Sequence, residues 1–252
     1  MTPLLEVKGI TKTFRRHGQN DFTAVDSVSF SLYPGETLGI VGESGSGKST
    51  IVKAITRLID VTDGQIIFNS KNISRLKGRE LRKVYRDIQM VFQSPAGSFN
   101  PRRTLGDGIG ESLRNKGLSR KETKAATDAL LHQCGLPANF ADRYPHEVSG
   151  GQCQRAAIAR ALAVKPQILI CDEATSALDV TVQAQIIALL QSLQKKHNMA
   201  FLFICHNLAL VQLFCDRVLV MNEGRIVEEG HPDEVIKRPK CYYTKQLINA
   251  VM

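Results

Sequence analysis

The fold of this chain is decided by the stretch Gly42-Glu43-Ser44-Gly45-Ser46-Gly47-Lys48-Ser49, which Thr50 follows. The stretch fits the phosphate-binding pattern G-x-x-x-x-G-K-[ST]. An apolar run over residues 37–41 leads into it, and residues 51–55 lead out of it with helical spacing. The pattern therefore predicts a strand, a loop and a helix, and we call residues 42–50 the phosphate loop.

The residue types of the phosphate loop suit the binding of a nucleotide. Its glycines let the backbone wrap so that amide N–H groups point inward, and the helix that begins near Gly47 adds its positive end. Lys48 is expected to neutralise the β- and γ-phosphates, and Ser49 to offer its hydroxyl to Mg²⁺. The alternative is a glycine-rich turn at a strand end, which the flanking strand and helix make a poor explanation.

The composition is that of a globular protein with a basic surface. The 252 residues are 43% apolar and 23% charged, with a formal net charge of +9. A basic balance favours an acidic partner, such as a nucleotide, a nucleic acid or an anionic membrane surface. The Lys and Arg residues are spread along the chain, however, and aromatic residues make up only 6% of it. On charge alone, a solvated basic surface is therefore favoured over a dedicated nucleic-acid site.

Targeting signals and cysteines indicate a soluble, cytoplasmic chain. The N-terminus has no signal-peptide pattern. The most apolar region, residues 199–221, is interrupted by polar residues and is not expected to span a membrane. The six cysteines form no C-x-x-C pair, so buried reduced thiols are expected rather than a disulfide framework or a zinc site.

Strand and helix patterns alternate over most of the chain. Residues 4–10 and 28–32 alternate in polarity and indicate strands before the phosphate loop. Residues 167–171 and 200–204 are continuous apolar runs, which are typical of strands covered on both faces. Residues from about 94 to 160 contain no convincing strand and are interpreted as a helical insertion. The predicted fold class is therefore α/β.

Capping signals mark the helices. Ser119 and Glu122 form a capping box that opens a helix within the insertion. One face of this helix carries apolar residues at helical spacing, namely Ala126, Ala129, Leu130 and Cys134. Asp179 is expected to cap a later helix. The tail from Pro232 onward is predicted to be helix, loop and helix.

Two adjacent acids close the apolar run at residues 167–171. Asp172 is expected to hold Mg²⁺ and Glu173 to activate an attacking water. The alternative is that the two acids merely begin a helix, where its positive dipole end favours them. The phosphate loop upstream favours the catalytic interpretation.

Two further polar residues follow predicted strands. Gln93 lies at the end of the strand at residues 88–92, from which it could reach the metal or the attacking water. His206 follows the strand at residues 200–204. It could donate to the γ-phosphate only if that strand lies beside the one bearing Asp172. Taken singly, a solvated Gln and a structural His are the commoner interpretations.

A second anion site is predicted at Ser149-Gly150-Gly151-Gln152, which we call the second cradle. It opens a helix that ends before Pro166, and a helix N-terminus with glycine amides attracts anions. One nucleotide hardly needs two cradles in one chain. The second cradle is therefore expected to grip the γ-phosphate of a nucleotide held by a second copy or a paralogue. The alternative is a glycine-rich helix cap without a ligand.

The order and spacing of these segments resemble the ATP-binding subunits of ABC transporters, nearly from end to end. The matching segments are Gly42–Thr50, Gln93, Ser149–Gln152, Ile168–Glu173, Ser176–Asp179 and His206. The resemblance implies hydrolysis of ATP with Mg²⁺, the metal being held by Ser49, Gln93 and Asp172. It also implies catalytic roles for Glu173, His206 and Gln93, and stacking of Phe14 on the adenine.

The same resemblance implies a fold. It consists of a P-loop ATPase core with a mainly parallel sheet, an antiparallel β subdomain and an inserted helical subdomain. Residues 1–252 would form one ABC-type nucleotide-binding domain, with the helical subdomain at about 94–160 and a C-terminal tail at about 232–252.

A narrower resemblance is to the oligopeptide, dipeptide and nickel importer branch. It rests on Gln93–Pro95, Ser98–Arg102, Arg143–Glu147 and Asp172–Val180. The chain departs from the usual pattern in four places. Val148 stands for Leu, Cys153 follows Gln152 where a longer polar residue is common, and Cys205 and Asn207 flank His206 in place of Thr and Asp. At the C-terminus, Cys241-Tyr242-Tyr243-Thr244 replaces His-Pro-Tyr-Thr.

The sequence thus predicts an ATPase subunit that powers import, bound peripherally at the cytoplasmic face of the cell membrane. The expected partners are a second ATP-binding subunit, identical or a paralogue, two integral membrane permeases and, indirectly, an extracellular solute-binding protein. No nucleic acid is expected. One rival is a soluble ABC-type ATPase acting on nucleic acid or ribosomes, and another is a non-hydrolysing nucleotide switch. Peptide, nickel, a metal–chelator complex and an opine stay open as cargo.

Overall fold

The computed structural model describes residues 2–15, 21–174 and 178–251. Within these ranges the strands are β1 (Leu5–Phe14), β2 (Phe22–Leu32), β3 (Thr37–Val41), β4 (Asp63–Phe68), β5 (Lys71–Asn72), β6 (Ile88–Val91), β7 (Ile168–Asp172), β8 (Ala200–Ile204), β9 (Arg217–Asn222) and β10 (Arg225–Gly230). The helices are α1 (Lys48–Ile55), α2 (Gly78–Asp87), α3 (Leu105–Asn115), α4 (Arg120–Gln133), α5 (Gly150–Leu162), α6 (Val180–His197), α7 (Leu208–Phe214), α8 (Pro232–Lys237) and α9 (Tyr242–Val251). Short 3₁₀ turns lie at Ala96–Ser98, Ala138–Asp142 and Pro145–Glu147.

The larger sheet is mostly parallel, with the strand order β10-β9-β3-β8-β7-β6. The β9–β10 hairpin is antiparallel and the other pairs are parallel. Alternate residues of β8 enter two different cores, Phe201 and Phe203 one of them and Leu202 and Ile204 the other. This burial on both faces explains why the strand is a continuous apolar run.

The smaller sheet is antiparallel, with the order β2-β1-β4-β5. Its Val7, Phe30 and Ile66 share a core with Ile51 and Val52 of α1. The antiparallel sheet therefore packs on the helix that follows the phosphate loop. The predicted fold class, an α/β core with a mainly parallel sheet and an added antiparallel sheet, is confirmed.

Helices fill the chain between β6 and β7, where α3, α4 and α5 pack on one another. The predicted capping box of α4 is present. The Ser119 hydroxyl accepts a hydrogen bond from the Glu122 amide, and the Glu122 carboxylate accepts one from the Ser119 amide.

Of the four apolar residues on the predicted face of α4, only Cys134 is buried, and Ala126 is half-buried. Ala129 is exposed and Leu130 is only half-buried. The buried residues of this helix and its C-cap are Thr123, Thr127, Leu131 and Cys134. Gly110 of α3 explains this choice, because a Cβ there would lie 2.8 Å from the Thr123 methyl group. The missing side chain lets the threonine face approach α3.

The register of the parallel sheet brings the predicted site residues to one edge. Val91 pairs with Cys171, and Asp172 pairs with Ile204. Since β6, β7 and β8 are parallel, the residues that follow them emerge at the same carboxyl edge. β3 runs parallel to β8 and leads into the phosphate loop at that edge.

Among the helices that the structure describes, none combines the length and apolarity needed to cross a membrane. The six cysteines are free thiols, five of them buried. Burial raises the pKa of Cys134 and of Cys171 to about 12. Such thiols stay protonated at neutral pH and are poor nucleophiles.

Candidate functional site

Two glycines allow the phosphate loop to fit between its neighbours. Gly42 has φ 148° and Gly47 has φ 105°, values that side-chain-bearing residues rarely adopt. A Cβ at Gly42 would lie 2.2 Å from the Met221 carbonyl oxygen, and one at Gly47 would lie 2.4 Å from the Ala24 carbonyl oxygen. The loop is thus enclosed by backbone from β9 and β2.

The phosphate loop is also tied by hydrogen bonds to parts of the chain that the motif does not mention. The Gly224 amide, in the β9–β10 turn, donates to the Ser46 carbonyl over 3.0 Å. The Glu43 amide donates to the Tyr243 hydroxyl of α9 over 3.0 Å. Neither Gly224 nor Tyr243 was predicted as a site residue. The only sequence signal was Tyr243 within the tail motif, and nothing in that motif indicates a contact with the loop.

Lys48 lies folded inside the loop, and its side chain is buried. Its ammonium group donates to the Gly42 carbonyl at 2.9 Å and to the Glu43 carbonyl at 2.7 Å, with the Ser46 hydroxyl at 3.4 Å. Burial lowers the pKa of Lys48, although the charges of Glu173 and Asp172 oppose the shift. A cation held this way among acceptors is placed to exchange them for phosphate oxygens.

The first helical turn of α1 meets the end of β7. The Ser49 hydroxyl donates to an Asp172 carboxylate oxygen over 3.4 Å. Burial raises the pKa of Asp172, and the adjacent Glu173 charge raises it further. A hydroxyl beside a carboxylate in a site that penalises negative charge fits Mg²⁺, which prefers oxygen ligands and would relieve that penalty.

Glu173 has an unusual backbone that fixes its position. Its φ is 50°, in the left-handed region, which costs a non-glycine residue about 1–3 kcal/mol. Its amide donates to the Ile204 carbonyl over 3.1 Å, which ties it to β8. Such strain in a non-glycine residue is typical of functional sites.

His206 contacts Glu173 directly. Its Nε2 lies within hydrogen-bonding distance of Glu173 Oε1. β8, which His206 follows, is the neighbour of β7, which carries Asp172, so the condition set for a functional His206 is met. Both side chains retain some exposure, 39% for His206 and 17% for Glu173, which leaves them accessible from the sheet edge.

Gln93 and Phe14 are less closely placed. Gln93 is exposed and lies two residues after Val91, the last residue of β6. Val91 pairs with Cys171 of β7, and Glu173 lies two residues after Cys171, so Gln93 and Glu173 are level at the sheet edge. Phe14 is the last residue of β1, in the antiparallel sheet, whereas Lys48 follows β3 of the larger sheet. The Phe14 ring is 38% exposed, and Lys12 Nζ lies 5.0 Å from the ring centroid. The exposure leaves this ring available for stacking.

The second cradle begins α5 with its own capping box. The Ser149 hydroxyl accepts from the Gln152 amide, and the Gln152 side-chain oxygen accepts from the Ser149 amide over 2.9 Å. The box does not involve the amides of Gly150 and Gly151. Ser149 and Gly150 are exposed, so the start of this helix faces outward.

The beginning of α6 packs against the second cradle. A Cβ at Gly151 would lie 2.5 Å from a Val182 methyl carbon, so a glycine is needed for this approach. Asp179 caps α6 as predicted, accepting from the Val182 amide over 2.9 Å. Of the predicted segment 176–179, Ser176 and Ala177 lie outside the described residues.

Several known proteins are similar to this chain. Residues 25–176 match the ABC transporter family. The oligopeptide transport ATP-binding protein OppF of Salmonella typhimurium is 50% identical over 230 residues, covering 90% of this chain and 69% of that protein. The dipeptide transport ATP-binding protein DppF of Lactococcus lactis is 44% identical over 254 residues, covering 98% of this chain and 81% of that protein.

A solved structure is similar as well. The ATP-binding cassette MJ0796, in a dimeric post-hydrolysis state bound to ADP and Pi, superposes with a TM-score of 0.83 at 31% identity. The similarity covers 90% of this chain and 98% of that one.

Proposed function

Because this chain belongs to the ABC transporter family, we propose that it is the ATP-hydrolysing subunit of a membrane importer for peptides or related small solutes. The observation that carries the proposal is the meeting of two pairs at one sheet edge. Ser49 contacts Asp172, and His206 contacts Glu173, beside the loop that holds Lys48. The similarity to ATP-binding proteins of oligopeptide and dipeptide transport supports the choice of cargo.

ATP binds at the phosphate loop in this proposal. The loop amides and Lys48 hold the β- and γ-phosphates, and Lys48 exchanges its carbonyl acceptors for phosphate oxygens. Phe14 stacks on the adenine. These roles are supported by the glycine backbone of the loop and by the exposure of the Phe14 ring.

Mg²⁺ would be held by Ser49 and Asp172, with Gln93 as a further ligand. When bound, the ion supplies positive charge to the phosphate oxygens. The raised pKa of Asp172 supports this assignment, since a carboxylate that burial disfavours gains most from a cation beside it.

Glu173 is the general base. It takes a proton from water as the water oxygen attacks the γ-phosphorus, and the bond from that phosphorus to the β-phosphate oxygen breaks, releasing ADP. His206 holds the Glu173 carboxylate in position through Nε2 and lies next to the attacked phosphate. Support comes from the contact between the two side chains and from the fixed backbone of Glu173.

The second cradle closes the site of another subunit. Its outward-facing helix start supports a dimer in which each cradle caps nucleotide bound to the partner's phosphate loop. That partner is a second copy of this chain or a paralogue. Gln93 and a helical subdomain of about residues 94–160 would pass closure of the dimer to two permease subunits at the cytoplasmic face of the membrane. An extracellular binding protein would deliver the solute.

Purification of the tagged chain from its own cells tests this proposal. Detergent-solubilised membranes are expected to yield the chain together with integral membrane proteins, and the complex should hydrolyse ATP. Peptide uptake should be lost in a deletion strain and restored by the wild-type chain. Recovery of RNA or ribosomes instead of membrane proteins would favour the rival, a soluble ABC-type ATPase acting on nucleic acid.

A further inference from the structure

The C-terminal tail is fixed to the body of the protein by a buried acid. The Glu228 carboxylate accepts from the Lys240 amide at 2.9 Å and from the Cys241 amide at 3.0 Å. Glu228 is only 9% exposed. Burial acts to raise the pKa of Glu228, but hydrogen bonds from these amides and from Thr244, together with the charge of Lys240, outweigh it and lower the pKa. An ionised Glu228 therefore sets the position at which α9 begins.

α9 shares a core with β3, the strand that leads into the phosphate loop. Leu247 and Ile248 of α9 are buried in the same core as Val41 and Val220, the latter on β9. Val41 is the last residue of β3 and immediately precedes Gly42. The helix is thus packed beside the entrance to the loop, and this packing brings Tyr243 to Glu43.

Glu43 is held on both sides. Its amide donates to the Tyr243 hydroxyl over 3.0 Å, from 200 residues away in the chain. Its carbonyl accepts from Lys48 over 2.7 Å. The bond to the Glu43 carbonyl comes from Lys48, the group that binds phosphate in the proposed function. The bond from the Glu43 amide depends on Tyr243, which lies outside the motif.

We propose that Tyr243 is a positioning residue of the nucleotide site, through which the C-terminal helix keeps the phosphate loop in its binding conformation. This inference rests on the proposed function. When Lys48 turns to the phosphates it must release carbonyl acceptors, and the Glu43 carbonyl then loses its partner. The bond from the Glu43 amide to Tyr243 is unaffected by that exchange, so the first turn of the loop stays in place. A loop that needs no reordering binds its ligand more tightly.

The test compares two neighbouring tyrosines in the full-length chain. Tyr243→Phe removes one hydroxyl and leaves the ring. Tyr242→Phe is the matched control, since Tyr242 is 74% exposed and its hydroxyl accepts from Gln246 rather than from the loop. Displacement of a fluorescent ATP analogue by ATP gives the dissociation constant. Tyr243→Phe is expected to weaken ATP binding roughly 3- to 10-fold, the effect of one hydrogen bond. Tyr242→Phe should match the wild type.

Kinetics of the assembled transporter separate positioning from general damage. Tyr243→Phe should raise KM for ATP by a similar factor while kcat stays close to that of the wild type. Loss of folded protein would instead lower kcat without moving KM. Glu228→Gln provides a second variant in case Tyr243→Phe folds poorly, because it weakens the anchor of the tail. The combined variant should lose no more affinity than Tyr243→Phe alone, since both changes act through one bond.

Three results would overturn the inference. Tyr243→Phe could bind ATP as well as the wild type does, both tyrosine variants could lose affinity equally, or the effects of Glu228→Gln and Tyr243→Phe could add. If the wild-type chain binds ATP and the first result is found, only the role of Tyr243 fails. If the wild-type chain does not bind ATP, the proposed function fails and the inference fails with it.

Discussion

The phosphate loop and the second cradle both place glycines at the start of a helix, yet the chain supports them in different ways. Gly47, the N-cap of α1, makes no side-chain cap, and the loop is held by β2, β9, the β9–β10 turn and α9. Ser149 caps α5 with its own hydroxyl, completed by Gln152. The first site depends on tertiary contacts, and the second is built from local ones.

The difference indicates that the phosphate loop and the second cradle have different roles in the proposed dimer. The phosphate loop is shaped by contacts within one chain. Ser149 and Gly150 of the second cradle are exposed, which suits the proposed contact with nucleotide on another subunit. This arrangement is the one expected for the proposed site shared between two subunits, and the following changes test it.

The largest effect is expected from a change that leaves both cradles intact. Glu173→Gln keeps the shape of the side chain but removes the base, so turnover should fall by about 10²–10⁴-fold. ATP binding to the chain should persist. The rate of phosphate release and the affinity for ATP measure the two properties, with the exposed Glu234→Gln as a control that should change neither. Normal turnover of Glu173→Gln in the assembled complex would show that Glu173 is not the base.

A matched pair of glycine changes separates the two cradles. Gly47→Val places a side chain against the Ala24 carbonyl and should abolish ATP binding. Gly151→Val places one against Val182, displaces the start of α5 and should reduce turnover by at least about 10²-fold. ATP binding by the Gly151→Val chain should stay normal. Loss of binding in that variant would mean that the second cradle serves nucleotide in its own chain.

Removing the two serine caps tests whether the second cradle does more than cap the start of α5. Ser119→Ala and Ser149→Ala each remove a capping-box hydroxyl and should each lower the free energy of unfolding by about 1 kcal/mol, as measured by urea titration. Ser149→Ala should also lower turnover by roughly tenfold, since its hydroxyl fixes the start of the helix that carries the glycine amides. Equal turnover in the two variants would show that Ser149 acts only as a helix cap.

The smallest effect is expected from Asp172→Asn, measured as the Tm of the nucleotide-free protein. The pKa of Asp172 is raised on folding, so the folded state keeps a proton that the unfolded state has already lost. Stability therefore falls as pH rises from the ordinary Asp pKa to the raised one, and the penalty is complete above it. At neutral pH the variant should have a Tm a few degrees higher, although its turnover is lost. The difference should vanish in acid, where both side chains are neutral. A lower Tm for the variant at neutral pH would contradict the destabilising role of the Asp172 charge.

The sequence alone determined the parts that depend on local spacing. The phosphate loop, the capping boxes at Ser119 and Ser149, the cap at Asp179 and the helix–loop–helix tail follow from residue types a few positions apart. The buried strands β7 and β8 could be predicted for a similar reason, because burial on both faces leaves a continuous apolar run. These features need no knowledge of what lies across the fold.

Only the tertiary structure decided which distant groups meet. The apolar spacing of α4 did not show which of its residues are buried, because alanines carry too little side chain to decide it. The close approach allowed by Gly110 buries the threonine face instead. The contact between Glu173 and His206 needed the order of β7 and β8. Tyr243 reaches Glu43 across 200 residues because α9 packs beside β3. Packing between elements carries no spacing signal in a single sequence, so the motif that defines the phosphate loop could not show what holds it in place.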